Sequence, residues 1–259
     1  MKILVFLALF PIISFAETLT VALYENHDDY YNYSRSYKLN WDLLKLATEN
    51  EGITLKAEPY LWLRGLNSIE SNKIDVLIGV SFSEERKKIG YFSQPLSFDK
   101  INLYSKQSKS LTLKQLITKR VLVGVTTKSI GEEVANKLGF MDVYRKSSSY
   151  KVFDLLIKDK IQYAIFSGSV ANKHCMMMEP KMFNEDCITP MQPPLATTTL
   201  HALYNQTSRV KGIAKSIASA IDKLITSGKV KKLFLASNYS EQEYKHWIKV
   251  RDDWFNQNN

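Results

Sequence analysis

The chain has 259 residues, 45% of them hydrophobic and 24% charged, with 35 Lys plus Arg against 26 Asp plus Glu and a formal net charge of +9. That length allows one large domain or two modest ones, each with its own core, and the apolar share is that of a globular protein. The positive excess concentrates in residues 105–195, where it draws an anionic ligand, steers docking or simply covers a solvated surface; it forms no dense stripe interleaved with aromatics, which counts against nucleic acid.

Residues 1–16 stand apart. Met1 and Lys2 make a short basic start, Ile3 to Phe15 is almost wholly apolar, and Ser14-Phe15-Ala16 is a small-x-small cleavage site. This reads as a secretory signal peptide with Glu17 as the first mature residue. The apolar run is shorter than the roughly 20 residues of a spanning helix, and no Cys stands at the cleavage site to carry a lipid. Thr18 to Leu23 alternates as a strand. Tyr24 to Tyr37, dense in tyrosine, reads as a first loop. Leu39, Leu43, Leu46 and Ala47 have helical spacing through Asn50, and Ile53 to Ala57 reads as a strand closed by Pro59. Trp62 and Arg64 open a helix over Leu63 to Ser71, with Arg64 a candidate second anion contact.

The stretch from Ile74 to Pro95 says most. Ile74, Val76, Leu77, Ile78 and Val80 form an apolar run of strand length, and Gly79 near its end permits close approach of a backbone or a ligand. Ser81 and Ser83 follow, hydroxyls able to cap a helix beginning near Glu84 or to donate to an anion, and then Arg86, whose guanidinium can grip a carboxylate through two parallel hydrogen bonds.

These residues resemble the family 3 bacterial solute-binding proteins, periplasmic receptors of polar amino-acid ABC transporters. Their pattern is G-x-x-D, an apolar strand, G-x-[ST]-x-[ST]-x-x-R and F-S-x-P. The chain supplies Asn72 and Asp75, then Gly79, Ser81, Ser83 and Arg86, then Phe92, Ser93 and Pro95. The resemblance implies an α/β, two-lobed periplasmic binding protein fold of type II, each lobe a mixed sheet flanked by helices and the two joined by hinge crossovers. It implies lobe 1 from 17–100 with 196–259 and lobe 2 from 101–195, a periplasmic monomer without cofactor or catalysis, a small carboxylate-bearing ligand and an inner-membrane ABC permease as partner. Ser81 and Arg86 would hold the carboxylate beside Gly79, Tyr24 or Tyr30 would form an aromatic wall, and Trp62 would stack on the ligand.

Ser97 to Tyr104 would be the first crossover. Leu111 to Ile117 and the strand Val121 to Val125 lead into TTKSIGEEV, where family members carry a Gly-[ST] pair opening a helix towards the carboxylate. Ser129 fits the second position and Lys128 replaces the glycine; pointing inward it would favour a more acidic ligand, pointing outward it is surface. Ser147 to Ser149 lead a helix over Tyr150 to Ile157, and Ile161 to Phe166 is a strand. At its end the amino-acid binders carry an Asp for the ligand ammonium; this chain has Ser167, which cannot neutralise a buried cation, so Glu25, Asp28 or Asp29 would have to substitute. Cys175 and Cys187, the two cysteines of an exported chain, most simply form a disulfide. A soft-metal site with His174, Met176, Met177, Met178 and Met182 is the alternative. Pro190 to Pro194 is a second linker, Ala196 to Tyr204 a returning strand, and Val210 to Leu224 the apolar stripe of a helix ended by Gly228. Beyond Ser240 the chain is a polar tail with Trp247 and Trp254.

Two other functions fit the same fold. One is an enzyme of the cyclohexadienyl dehydratase type, with His27 or Glu25 as the acid; the other is a soluble ligand-sensing input to a membrane receptor. The chain has no G-x-S-x-G, P-loop, H-E-x-x-H, C-x-x-C or dinucleotide glycine pattern.

Overall fold

A computed structural model of the chain describes residues 17–106, 111–178 and 187–258; the expected signal segment over 1–16 and Met182 lie outside them. β1 (Thr18–Tyr24) pairs in parallel with β2 (Thr54–Tyr60) on one side and β3 (Val76–Ser81) on the other. The helices α1 (His27–Tyr33), α2 (Arg35–Asn50) and α3 (Trp62–Glu70) run between them. A single turn, α4 (Glu84–Lys87), and the short β4 (Tyr91–Phe92) follow. β5 (Ser97–Ser105) then carries the chain into a second half, made of α5 (Leu113–Thr118), β6 (Val123–Thr126), α6 (Ile130–Leu138), β7 (Val143–Lys146), α7 (Ser149–Ile157), β8 (Tyr163–Ser167), α8 (Gly168–Met176) and β9 (Thr189–Pro190). β10 (Ala196–Tyr204) returns, and α9 (Ser208–Thr226), α10 (Lys229–Ala236) and α11 (Glu241–Asn258) finish the chain. Among the described residues the strands run β2-β1-β3-β10-β5-β8-β6-β7, with β5 and β10 antiparallel neighbours. This is the two-lobed α/β arrangement with paired crossovers that the sequence implied.

Each half has its own core. Val76 and Ile78 of β3 face a cluster with α2 and α9 that includes the fully buried Trp247 of α11, while Leu77 faces Leu66 and Ile69 of α3. Across the hinge, Tyr163 and Ile165 of β8 pack with Leu116 and Ala135, and Ala164 and Phe166 with Val152 and Phe153. Burying each large apolar side chain of this kind stabilises by about 1.5–3 kcal/mol. Strict alternation would send Val80 to the side of Val76 and Ile78, yet it packs with Leu77. The cause is a bulge at Gly79, where φ is +69° and the pairing with β10 slips between His201 and Leu203. Such a bulge re-aims the residues beyond it, here Ser81 at the mouth of the strand.

Several expectations change. Pro59 lies inside β2 opposite Leu23, tolerated because β2 is an edge strand and no partner awaits the missing N–H. Tyr24–Tyr37 is not a loop: it is helical from His27, with Asp28 and Asp29 in the first turn of α1 and the Ser34 hydroxyl capping α2 at the Tyr37 amide. The polar tail is the helix α11, anchored by the Trp247 indole donating to the Pro95 carbonyl. Cys175 is bonded to Cys187, which removes both thiols from the soft-metal alternative. No helix among the described residues is long and apolar enough to cross a membrane.

Candidate functional site

A cavity of about 150 Å³ opens between the halves, lined by Ser81, Arg86 and Trp62 from one side and Ser129, Ser167 and Lys173 from the other. Arg86 is only 4% exposed. Its position follows from local capping: Ser83 accepts from the Arg86 amide at 3.3 Å to start α4, and Arg86 Nη1 turns back to the Ser81 carbonyl at 2.8 Å. Nη2 crosses the cleft to the Lys128 carbonyl at 3.0 Å and to Glu133 Oε1 at 2.7 Å, while Nε has no partner among the described residues. The side-on edge of a guanidinium, Nε with Nη2, is the fork that takes a carboxylate, and here Glu133 holds half of it. Glu133 was not anticipated, although its segment was; burial raises its carboxyl pKa, opposed by Arg86 and by a hydrogen bond from Ser83.

Gly79 works through its conformation. Its carbonyl accepts from the Tyr24 hydroxyl at 2.6 Å, and a Cβ at this residue would stand 3.2 Å from both Tyr24 Oη and Tyr37 Cδ2. Tyr24 is thereby held edge-on to Tyr30 and Trp62, and the three line one aromatic wall. The Trp62 indole donates to the Lys128 carbonyl at 3.2 Å, and the Arg86 guanidinium lies 5.4 Å from its ring. Asn72 and Lys128, at two positions where the family pattern has glycine and this chain does not, both adopt left-handed backbone, φ 55° and 56°. Lys128 therefore contributes a carbonyl; its side chain is exposed and does not line the cavity, which corrects the inward alternative. Ser129 lines the cavity and caps α6 through the Glu132 amide. Asp75 is a structural clamp, accepting from Thr20, Asn205 and Arg209.

The far wall also holds an acidic residue that sequence reasoning missed. Asp99 of β5 lines the cavity and accepts from Ser169 N at 3.1 Å, from the Ser169 hydroxyl, from Lys100 N at 2.8 Å and from the Ser167 hydroxyl. Burial raises its pKa and these donors oppose the rise. Ser169 also meets Ser36 of α2, so a chain of hydroxyls ties the two halves at the hinge. Ser167 itself caps α8 at the Val170 amide. The signal for Asp99 was an acid inside a strand, SFDKINLYS, beside the apolar Phe98 and Ile101.

At the other end of the cavity stand Lys173 and His174 on α8, facing Ser147 to Tyr150 at the start of α7. His174 Nε2 meets the Ser149 hydroxyl at 2.9 Å and stacks on Phe153; burial and the neighbouring Lys173 push its pKa down to about 3, so the ring is neutral. Lys173 is 2% exposed, and its ammonium lies 5.0 Å over the Tyr30 ring. Of the proposed substitute acids, Glu25 reaches the rim, whereas Asp28 and Asp29 do not line the cavity. His27 turns away to the Tyr37 hydroxyl at 2.9 Å, and Arg64 lies outside, over Tyr60.

The comparisons agree with this architecture. The chain matches the bacterial extracellular solute-binding proteins, family 3, over residues 39–236. It resembles a histidine kinase sensor domain similar to periplasmic binding proteins (TM-score 0.70, 16% identity, covering 85% of this chain and 96% of that one). It also resembles an ancestral arginine-binding protein bound to glutamine (TM-score 0.68, 18% identity, 85% and 97% covered). A third is the arginine-, lysine-, histidine-binding protein ArtJ from Geobacillus stearothermophilus (TM-score 0.68, 18% identity, 84% and 94% covered). These likenesses speak to the fold alone, and no curated protein matches the chain. With a two-lobed fold, a cleft lined from both halves and a family match over most of its length, the chain belongs to the bacterial extracellular solute-binding proteins, family 3.

Proposed function

We propose that the protein is exported to the periplasm, captures a small carboxylate-bearing ligand, an amino acid or a relative, between lobe 1 (17–100 with 196–259) and lobe 2 (101–195), and presents the closed form to an inner-membrane ABC permease. The observation that carries this is Arg86, a buried guanidinium at the cleft whose Nε donor has no partner among the described residues, beside Ser81 and across from Ser129. A ligand carboxylate would take the Nε and Nη2 fork, and Trp62 and Tyr24 would wall it in. For a ligand ammonium, the acid absent from the end of β8 would be replaced by Asp99, which lines the cavity beside the Ser167 and Ser169 hydroxyls that donate to it. Contacts from both lobes exist together only when the cleft is shut, so the ligand biases the open-to-closed equilibrium.

The test is calorimetry and thermal shift of the mature protein against amino acids and organic acids, since a ligand of the folded state raises the melting temperature. A carboxylate that stabilises the wild type but not Arg86→Met supports the proposal; equal binding by both sinks it. A sensing role uses the same cleft, and the likeness to a kinase sensor domain favours keeping it as the second reading. Pull-down of a permease or of a receptor kinase separates the two. The dehydratase alternative has lost His27, which is turned out of the cavity.

A further inference from the structure

The charges around the cavity do not balance evenly. At one end Arg86 is answered by Glu133 at 2.7 Å. At the other, Lys173 is buried and lines the cavity, and its ammonium makes no ion pair or hydrogen bond among the described residues; Asp29 and Glu25 act on it only through space. The π face of Tyr30 compensates only part of the water the ammonium has given up. A buried cation in this position keeps its charge at low cost only when an anion arrives.

A second feature faces the same space. α7 begins there, and its cap residue Ser148 makes no side-chain cap bond, so the first-turn amide groups are left uncapped by it. Helix N-termini of this kind favour anions. The Ser149 hydroxyl is held in place by neutral His174 and by Tyr30, so the wall is ordered without itself supplying a negative charge.

We propose that the ligand carries a second acidic group, seated between the Lys173 ammonium and the N-terminus of α7, so that the receptor selects small diacids over their neutral or monoacid counterparts. This rests on reading the cleft as a carboxylate receptor's. One cavity contains both Arg86 and Lys173, so a single small molecule with an acid at each end meets both cations.

The experiment is isothermal titration of the mature protein with L-glutamate, L-aspartate, glutarate and succinate against L-glutamine, L-asparagine and butyrate. It is repeated with Lys173→Met after circular dichroism shows that the variant is folded. Diacids bind the wild type roughly a hundredfold more tightly than the matching amides or monoacids, as a charge-assisted contact warrants. In Lys173→Met the preference collapses to within about threefold while monoacid binding persists. Glutamate against glutarate reports whether an ammonium is also read. If the amides and butyrate bind the wild type as well as the diacids do, the second acid site is refuted and the receptor reading stands. Retention of the full preference in Lys173→Met likewise refutes it. If no acid of either kind binds, both readings fall.

Discussion

Replacing Glu133 by Gln should act in opposite directions on stability and on binding. Glu133 accepts from Arg86 Nη2 at 2.7 Å; Arg86 is 4% exposed, but the Glu133 side chain is 32% exposed, so solvent screens one partner. A charge-assisted hydrogen bond contributes about 1.5–3 kcal/mol when well buried, and the exposure of Glu133 brings this to about 1–2 kcal/mol. The unliganded Glu133→Gln protein should therefore lose up to that amount in urea unfolding. A ligand carboxylate that takes the Nε and Nη2 fork no longer has to displace a competing carboxylate, and its affinity should rise by about five- to thirtyfold. Arg86→Met, the control, should lose both stability and binding. Calorimetric titration of the three proteins with one carboxylate ligand reads the signs directly. If Glu133→Gln weakens binding or changes it by less than twofold, the ligand and Glu133 do not contend for the same guanidinium, and the placement of the carboxylate is wrong.

Lys128→Gly should stabilise the protein by about 0.5–1 kcal/mol, because a non-glycine residue at φ 56° is strained, and should leave ligand affinity within about twofold, because only the carbonyl of residue 128 faces the site. Loss of binding would place the ammonium in the cleft after all. His201 is fully buried, donates from Nδ1 to the Ser93 carbonyl at 2.7 Å and accepts at Nε2 from Thr199; burial depresses its pKa to about 4. The unfolded chain protonates near pH 6.5 and the fold does not until about 4, so stability is full above 6.5 and falls as pH drops between those values. This histidine accounts for a loss of about 2 kcal/mol by pH 5, which His201→Gln should remove from the pH dependence of urea midpoints; an unchanged dependence would contradict its burial as a neutral ring. Reducing Cys175–Cys187 should lower unfolding stability by about 3 kcal/mol on the chain-entropy model, and a midpoint indifferent to reductant would show that the 12-residue separation constrains little.

What the sequence disclosed was local. The run Ile74 to Pro95 encodes a strand, a hydroxyl cap and an arginine within a dozen residues, and their geometry is set by their own neighbours: Ser83 caps α4, and Arg86 returns to the Ser81 carbonyl. What it did not disclose depends on chain crossings. Glu133 is 47 residues from Arg86, and Asp99 is 70 from Ser169, so neither pairing leaves a spacing to read. Lys173 sits on α8, a helix that turn-scale signals did not announce because its first residues are Gly and Ser. The error over Tyr24–Tyr37 has a different cause. Clustered tyrosines look like a loop by polarity, but with no Gly or Pro to break them and two acids in the first turn they wind into α1, which packs against α2 and α8.

The cleft's polar contacts also bear on where affinity originates. Trp62 and Arg86 both donate to the Lys128 carbonyl, so the left-handed backbone at residue 128, not its side chain, is what the opposite lobe reads. Together with Glu133, these contacts join the halves. A carboxylate arriving at Arg86 exchanges one ion pair for another, and the net gain is small even though removing Arg86 would be severe, since the asymmetry lies in leaving a charge unpaired. At Lys173 there is no such exchange, because among the described residues the ammonium has no paired anion to surrender. The end of the cavity that the family pattern does not describe is therefore where a ligand gains most, and specificity should follow the group that reaches it.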